Sequence, residues 1–112
     1  MKDMNISLLL DFYGNLLNEK QLSMMEEYYQ EDLSLSEIAE NSGITRQGVH
    51  DNIRRGGLEL KSYEQRLGLL ERFSGITRAA DQIDSMLKEG TVIDAKLYGE
   101  ISRLLDIIRN EA

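Results

Sequence analysis

The sequence predicts an all-α protein, a bundle of helices followed by a C-terminal helical extension, and three observations carry that expectation. The chain has 112 residues and no proline. Its β-branched residues are scattered rather than gathered into alternating runs, which leaves few signals for strands or hairpins. Its apolar residues, 41% of the total, return at the three- and four-residue spacing of a helical face.

A first helix is expected from about Asn5 to Leu17, because Ile6, Leu9, Leu10, Tyr13, Leu16 and Leu17 share one face. Asn18, with Gln21 three residues on, has the capping-box arrangement and opens a second helix with Leu22, Met25 and Tyr29 in a stripe that Tyr28 widens. Ser34 and Glu37 repeat the box before a short third helix that turns Leu35, Ile38 and Ala39 inward. Gly43 supplies the left-handed residue that a tight turn between crossing helices requires. Thr45 caps a fourth helix, with Val49 and Ile53 on its inner face.

Gly56 and Gly57 each cost roughly 1 kcal/mol in a helix interior relative to alanine, so a break is expected there. That break divides the chain into residues 1–57 and 58–112. Beyond it, Leu60, Tyr63, Leu67 and Leu70 alternate three, four and three, the spacing of a coiled-coil seam, flanked by Lys61, Glu64, Arg66 and Glu71. The last forty residues read as a helical hairpin. Ile76, Ala79, Ala80, Ile83, Met86 and Leu87 form one stripe and Gly90 stops it. Thr91 with Asp94 caps the final helix, which carries Leu97, Ile101, Leu104, Leu105 and Ile108.

Composition narrows the function classes. A chain of this length holds one compact domain with an extension, not a second catalytic domain. With no cysteine there is no disulfide, thiolate metal site or cysteine nucleophile, which suits a reducing cytosol. The apolar run from Leu8 to Leu10 is too short for a signal peptide or membrane span, so a cytoplasmic protein is expected. Net charge is −7, but residues 1–44 hold two basic and nine acidic residues, residues 45–72 six and four, and residues 73–112 five and seven. Only the middle is positive, so phosphate attraction is confined to that segment.

The informative stretch runs from Ser34 to Arg55. Two short helices around Gly43, with Ile38, Ile44, Val49 and Ile53 between them, make a helix-turn-helix that presents the first turn of the second helix outward. On or near that face stand Thr45, Arg46, Gln47, His50, Asp51, Arg54 and Arg55. A nucleic-acid-binding role gives Arg46 and Gln47 to base edges and Thr45 and Arg54 to phosphates. The alternative is a solvated surface on a helix pair used for packing, which Gly48 and the phosphate-repelling Asp51 favour.

This stretch resembles region 4 of bacterial sigma factors, and the chain as a whole resembles the YlxM family of small bacterial helix-turn-helix proteins. The residues that carry the resemblance are Asp11-Phe-Tyr13, Leu16-Leu17, Glu19-Lys-Gln21, Tyr28-Tyr29, Ser36-Glu-Ile-Ala39, Thr45-Arg-Gln47 and Asp51-Asn-Ile-Arg54, so it covers the chain to about Arg72. It departs at Gly48, where relatives commonly place alanine, and at Gly56-Gly57. It implies a helical, nucleic-acid-binding fold with a regulatory role in the signal recognition particle pathway. The partner is then either DNA or the particle's GTPase and RNA.

Other constellations carry less. Phe12, Tyr13, Tyr28 and Tyr29 could stack bases, but aromatics at helical spacing are far more often core. His50, the single histidine, can neither build a zinc site nor complete a triad, so no metal, cofactor or catalytic residue is expected. Gly57 to Ser62 has a superficial likeness to a phosphate loop, but Leu60 stands where glycine is needed and no strand precedes it. Glu26, Glu27 and Glu31, with Asp32, read as a solvated helix end or as a docking face for a basic partner such as the RNA-binding helical part of the particle GTPase. The Leu60 to Leu70 seam and the amphipathic C-terminal helices predict a homodimer, the form in which helix-turn-helix proteins span two half-sites.

Overall fold

The computed structural model describes residues 4–88 and 94–111. Among them are six α-helices and one short 3-10 helix, with no strand. The chain divides into two compact units, Met1–Gly68 and Leu69–Ala112.

The first unit contains α1 (Met4–Tyr13), the 3-10 turn Gly14–Leu16, α2 (Glu19–Tyr29), α3 (Leu35–Ser42) and α4 (Arg46–Leu67). The first helix stops earlier than the periodicity of Leu16 and Leu17 suggests. Gly14 is buried where a β-carbon would come within 3.0 Å of Leu22, and the Leu17 N–H closes onto the Gly14 carbonyl at 3.0 Å. The caps stand where the sequence places them, because each is a local bond. Asn18 accepts from the Gln21 N–H at 2.8 Å, and Ser34 and Glu37 exchange both capping-box bonds at 3.1 Å. Gly43 has φ +71°, and Thr45 accepts from the Gly48 N–H at 3.0 Å.

The helix α4 packs against α1, α2 and α3 and is the spine of this unit. Ile38, Val49, Leu60 and Met25 are fully enclosed, with Ile6, Leu9, Leu10 and Tyr13 closing the core from α1. Leu35, Ala39 and Ile44, expected in the wedge, are half-buried. The buried face of α2 consists of Gln21, Met24 and Met25, leaving Leu22 and Tyr29 half-buried. Gln21 accounts for the rotation, since its amide donates to the Asn52 carbonyl at 3.3 Å and ties α2 to α4.

The break expected at Gly56-Gly57 is absent. The helix α4 runs unbroken for 22 residues, and the first unit extends to Gly68 rather than ending at residue 57. Both glycines are buried inside it. A β-carbon on Gly56 would lie 2.8 Å from the Met25 sulfur, so this glycine lets α2 and α4 approach. Gly68, with φ +63°, is the residue that ends the helix. The coiled-coil seam dissolves for the same reason: Leu60 is core, Tyr63 packs 6.1 Å from the Tyr13 ring, Leu67 is exposed and Leu70 belongs to the next helix.

The Tyr13 hydroxyl donates to the Glu64 carboxylate at 2.6 Å and joins α1 to the far end of α4. Tyr13→Phe is therefore expected to cost about 1–2 kcal/mol in urea unfolding, since the acceptor is charged and partly shielded.

The second unit is formed by α5 (Leu69–Lys88) and α6 (Ala95–Glu111), packed on each other. The six residues between them reach at most about 21 Å while α5 is about 30 Å long, so the two helices run antiparallel. The expected hairpin is present, and α5 begins at Leu69, earlier than its stripe from Ile76 suggests. Gly90 and Thr91 lie outside the described residues, and Asp94 itself caps α6, accepting from the Leu97 N–H at 2.8 Å. Among the described residues of this unit, only Ala79 and Leu104 are deeply buried.

Candidate nucleic-acid interface

The two helices around Gly43 hold the start of α4 by a short list of contacts. Ile38 from α3 and Val49 from α4 are fully enclosed between them, which fixes how the helices cross. Thr45 spends one hydroxyl lone pair on the Gly48 N–H and keeps its proton for an outside acceptor. Gly48 does not interrupt the helix. A β-carbon there would stand 3.2 Å from the capping oxygen and 3.5 Å from Ile44, so the glycine leaves room for the cap.

Thr45, Arg46, Gln47, His50, Arg54 and Arg55 are all solvent-exposed. Arg46, His50 and Arg54 succeed each other at four-residue spacing and share one stripe of α4. Among the described residues neither Arg46 nor Arg54 enters an ion pair. Arg55 stands apart, one position further around the helix, donating to the Asn52 amide oxygen at 3.3 Å. Asn52 in turn donates to the Gly48 carbonyl at 2.9 Å.

Asp51 modifies this face. Its carboxylate accepts from the Gln47 amide at 3.1 Å and lies 3.6 Å from His50 Nδ1. Gln47 is thus partly committed within the helix and not simply offered to base edges. The bond holds its amide in place, and a base contact there has to share or replace Asp51.

The acidic residues are on another face. Glu26 and Glu27 are half-buried and Glu31 is exposed, and all three line an open groove along α2 with Glu19, Leu22 and Gln30. Among the described residues no group of three or more histidine, cysteine or acidic side chains is arranged to hold a metal ion.

Adjoining the basic stripe, and sharing His50 and Arg54 with it, lies a feature that sequence periodicity hides. A cleft of about 320 Å³ has Tyr28, Tyr29 and Leu35 on one side and Arg54, Leu58 and Lys61 of α4 on the other, with Ile6, Ile53 and Gly57 at its base. Tyr13 is core, as helical spacing implies, but Tyr28 and Tyr29 are half-buried and open onto this cleft. The sequence signal was the Arg54 to Lys61 spacing, two helical turns apart on the Leu58 face.

A Gly43 turn between capped helices, with an exposed basic stripe at the start of the second, defines a helix-turn-helix protein. The chain belongs to the family of YlxM / p13-like helix-turn-helix proteins, UPF0122, whose model matches residues 1–101. The match thus continues past Arg72 into α6. A UPF0122 protein of Symbiobacterium thermophilum is 42% identical over 113 residues and covers the full length of both chains. One of Malacoplasma penetrans is 41% identical over 88% of this chain and 89% of its own. One of Listeria innocua is 36% identical over 95% of this chain and 96% of its own. Among the described residues no helix is long and apolar enough to cross a membrane.

Proposed function

We propose that this protein is a non-enzymatic regulator that binds duplex DNA through the start of α4 and acts in the signal recognition particle pathway. The observation that supports DNA binding is the exposed stripe of Arg46, His50 and Arg54 rising from the Thr45 cap. A helix start of this kind also places its first N–H groups and its dipole toward phosphate. The link to the particle, and the likeness to sigma region 4, rest on the sequence resemblance.

A second reading is favoured by the glutamate-lined groove on α2. Here the protein docks on the particle GTPase or its RNA-bound form through Glu26, Glu27 and Glu31, and the helix-turn-helix is a scaffold. One experiment separates the two. The purified protein is titrated across a range of salt against promoter-like duplex DNA, the particle's RNA, and the GTPase with and without that RNA. Binding to DNA that weakens steeply with salt supports the first reading. Binding to the GTPase that is lost when the three glutamates become glutamine supports the second.

A homodimer built through the C-terminal hairpin is part of the proposal. Among the described residues, a two-helix unit with two deeply buried residues leaves Phe73 and Leu87 more than half exposed, at 53% and 55%, and Leu105 exposed at 38%. Such a surface is more than a single hairpin normally leaves to water. Sedimentation at tens of micromolar is expected to give a dimer, and Leu87→Gln with Leu105→Gln a monomer whose helicity is retained. A monomeric parent protein removes the dimer from the proposal.

A further inference from the structure

Gly56 and Gly57 are adjacent, both buried and both in the middle of α4, yet they answer to different demands. Gly56 is required by packing, with Met25 atoms 2.8, 3.2 and 3.3 Å from the place a β-carbon would occupy. Gly57 is not. A β-carbon there meets only the Ile6 Cδ1 atom, at 3.6 Å, which is ordinary van der Waals contact. Alanine would favour the helix at this position, so helix stability and packing both leave the glycine unexplained. What Gly57 does is line the cleft that Tyr28 and Leu58 also line.

That cleft has the chemistry of an aromatic, anionic ligand. Tyr28 and Tyr29, whose rings meet edge-on at 88°, offer aromatic faces and edges beside the apolar Leu58, and Arg54 and Lys61 add two cations to the lining. His50 also lines it, and among the described residues no carboxylate does. Its volume of about 320 Å³ suits a single nucleotide and not a helix. Arg54 also belongs to the outward stripe of the recognition helix, so a strand tracked along that stripe leads into the cleft.

We infer that the cleft beside Gly57 holds one unpaired nucleotide of a single-stranded nucleic acid, the base between the tyrosines and Leu58 and its phosphate on Arg54 and Lys61. This rests on the nucleic-acid reading above for the class of ligand and shares Arg54 with it, but adds Tyr28, Tyr29, Leu58 and Lys61, which duplex recognition does not need. Proteins that hold single strands combine a basic track with aromatic side chains, and each stacked base contributes enough for a loss of about tenfold or more when its platform is removed.

The test measures fluorescence anisotropy of a labelled ten-nucleotide oligoadenylate, with duplex DNA and free adenosine monophosphate alongside, on the full chain and its variants. Gly57→Ala is expected to raise the melting temperature by roughly 4–8 °C through helix propensity while weakening oligoadenylate several-fold. Gly57→Leu, which fills the cleft, is expected to weaken it by about tenfold or more and to leave duplex affinity within about twofold. Oligoadenylate affinity unchanged in both variants overturns the inference, as does a parent protein that binds no oligoadenylate. Free adenosine monophosphate binding as tightly as the oligonucleotide overturns the assignment to a strand. Loss of duplex binding in Arg46→Ala bears on the recognition helix alone, so the failure of either reading is visible separately.

Discussion

Replacing Arg46 and Arg54 together by alanine is expected to weaken duplex DNA binding by about tenfold to a hundredfold at 0.1 M salt, and to lower the salt slope by about one, the share of the Arg54 phosphate contact. The slope carries the argument. Each phosphate neutralised by a cation contributes about 0.9 to the dependence of log affinity on log salt, so the lost Arg54 contact leaves a recognisable change even if residual binding persists. The fold has little reason to respond, because both guanidinium groups are exposed and neither is in an ion pair among the described residues. Substitutions of that kind usually stay within about 0.5 kcal/mol of the parent. Affinity and slope both unchanged would remove this face from the DNA reading and leave the glutamate groove of α2 as the working surface.

Gly56→Leu is expected to destabilise the first unit by about 1–3 kcal/mol, although leucine is a far better helix former than glycine. The reason is Met25, which is fully enclosed and already within 3.3 Å of the added β-carbon at three of its atoms. Met25→Ala by itself opens a cavity and is expected to cost about 2–5 kcal/mol. Combined, the two substitutions should cost clearly less than their sum, because the leucine then occupies the space the methionine vacates. Urea unfolding of the four proteins, followed by circular dichroism, measures the coupling. Strict additivity would mean that the α2–α4 approach is not what Gly56 provides.

Features resting on bonds within three or four residues were legible in the sequence. Asn18, Ser34 and Thr45 cap the helices they were expected to cap, and Gly43 takes the left-handed turn, because each needs only its own neighbours. What failed was the reading of glycine in a helix. The propensity cost at Gly56 and Gly57 is real, but the packing of α4 as a continuous spine, with Gly56 against Met25, outweighs it. The helix stop was present elsewhere, at Gly68 with Arg66 in the turn before it, a common C-terminal signal. Once α4 runs through to Leu67, the apparent seam of Leu60, Tyr63 and Leu67 becomes the inner face and end of a spine helix.

The candidate interface was legible as a set of exposed residues but not as a set of roles. Four-residue spacing placed Arg46, His50 and Arg54 together, yet it could not show that Arg55 turns to Asn52 or that Asp51 engages Gln47. The cleft was hidden for a different reason. Its walls come from α1, α2, α3 and α4, and the pairing of Tyr28 and Tyr29 with Lys61, more than thirty residues away, has no local signature.

The position of α4 as the shared partner of α1, α2 and α3 also sets an order of events during synthesis. Residues 4–42 emerge from the ribosome first, but the surfaces they are to bury belong to a helix not yet made. Leu60 and Glu64, the last partners of that core, arrive some fifty residues after Tyr13. The native burial of Ile6, Leu9, Leu10, Met24 and Met25 is therefore complete only after translation has passed Gly68.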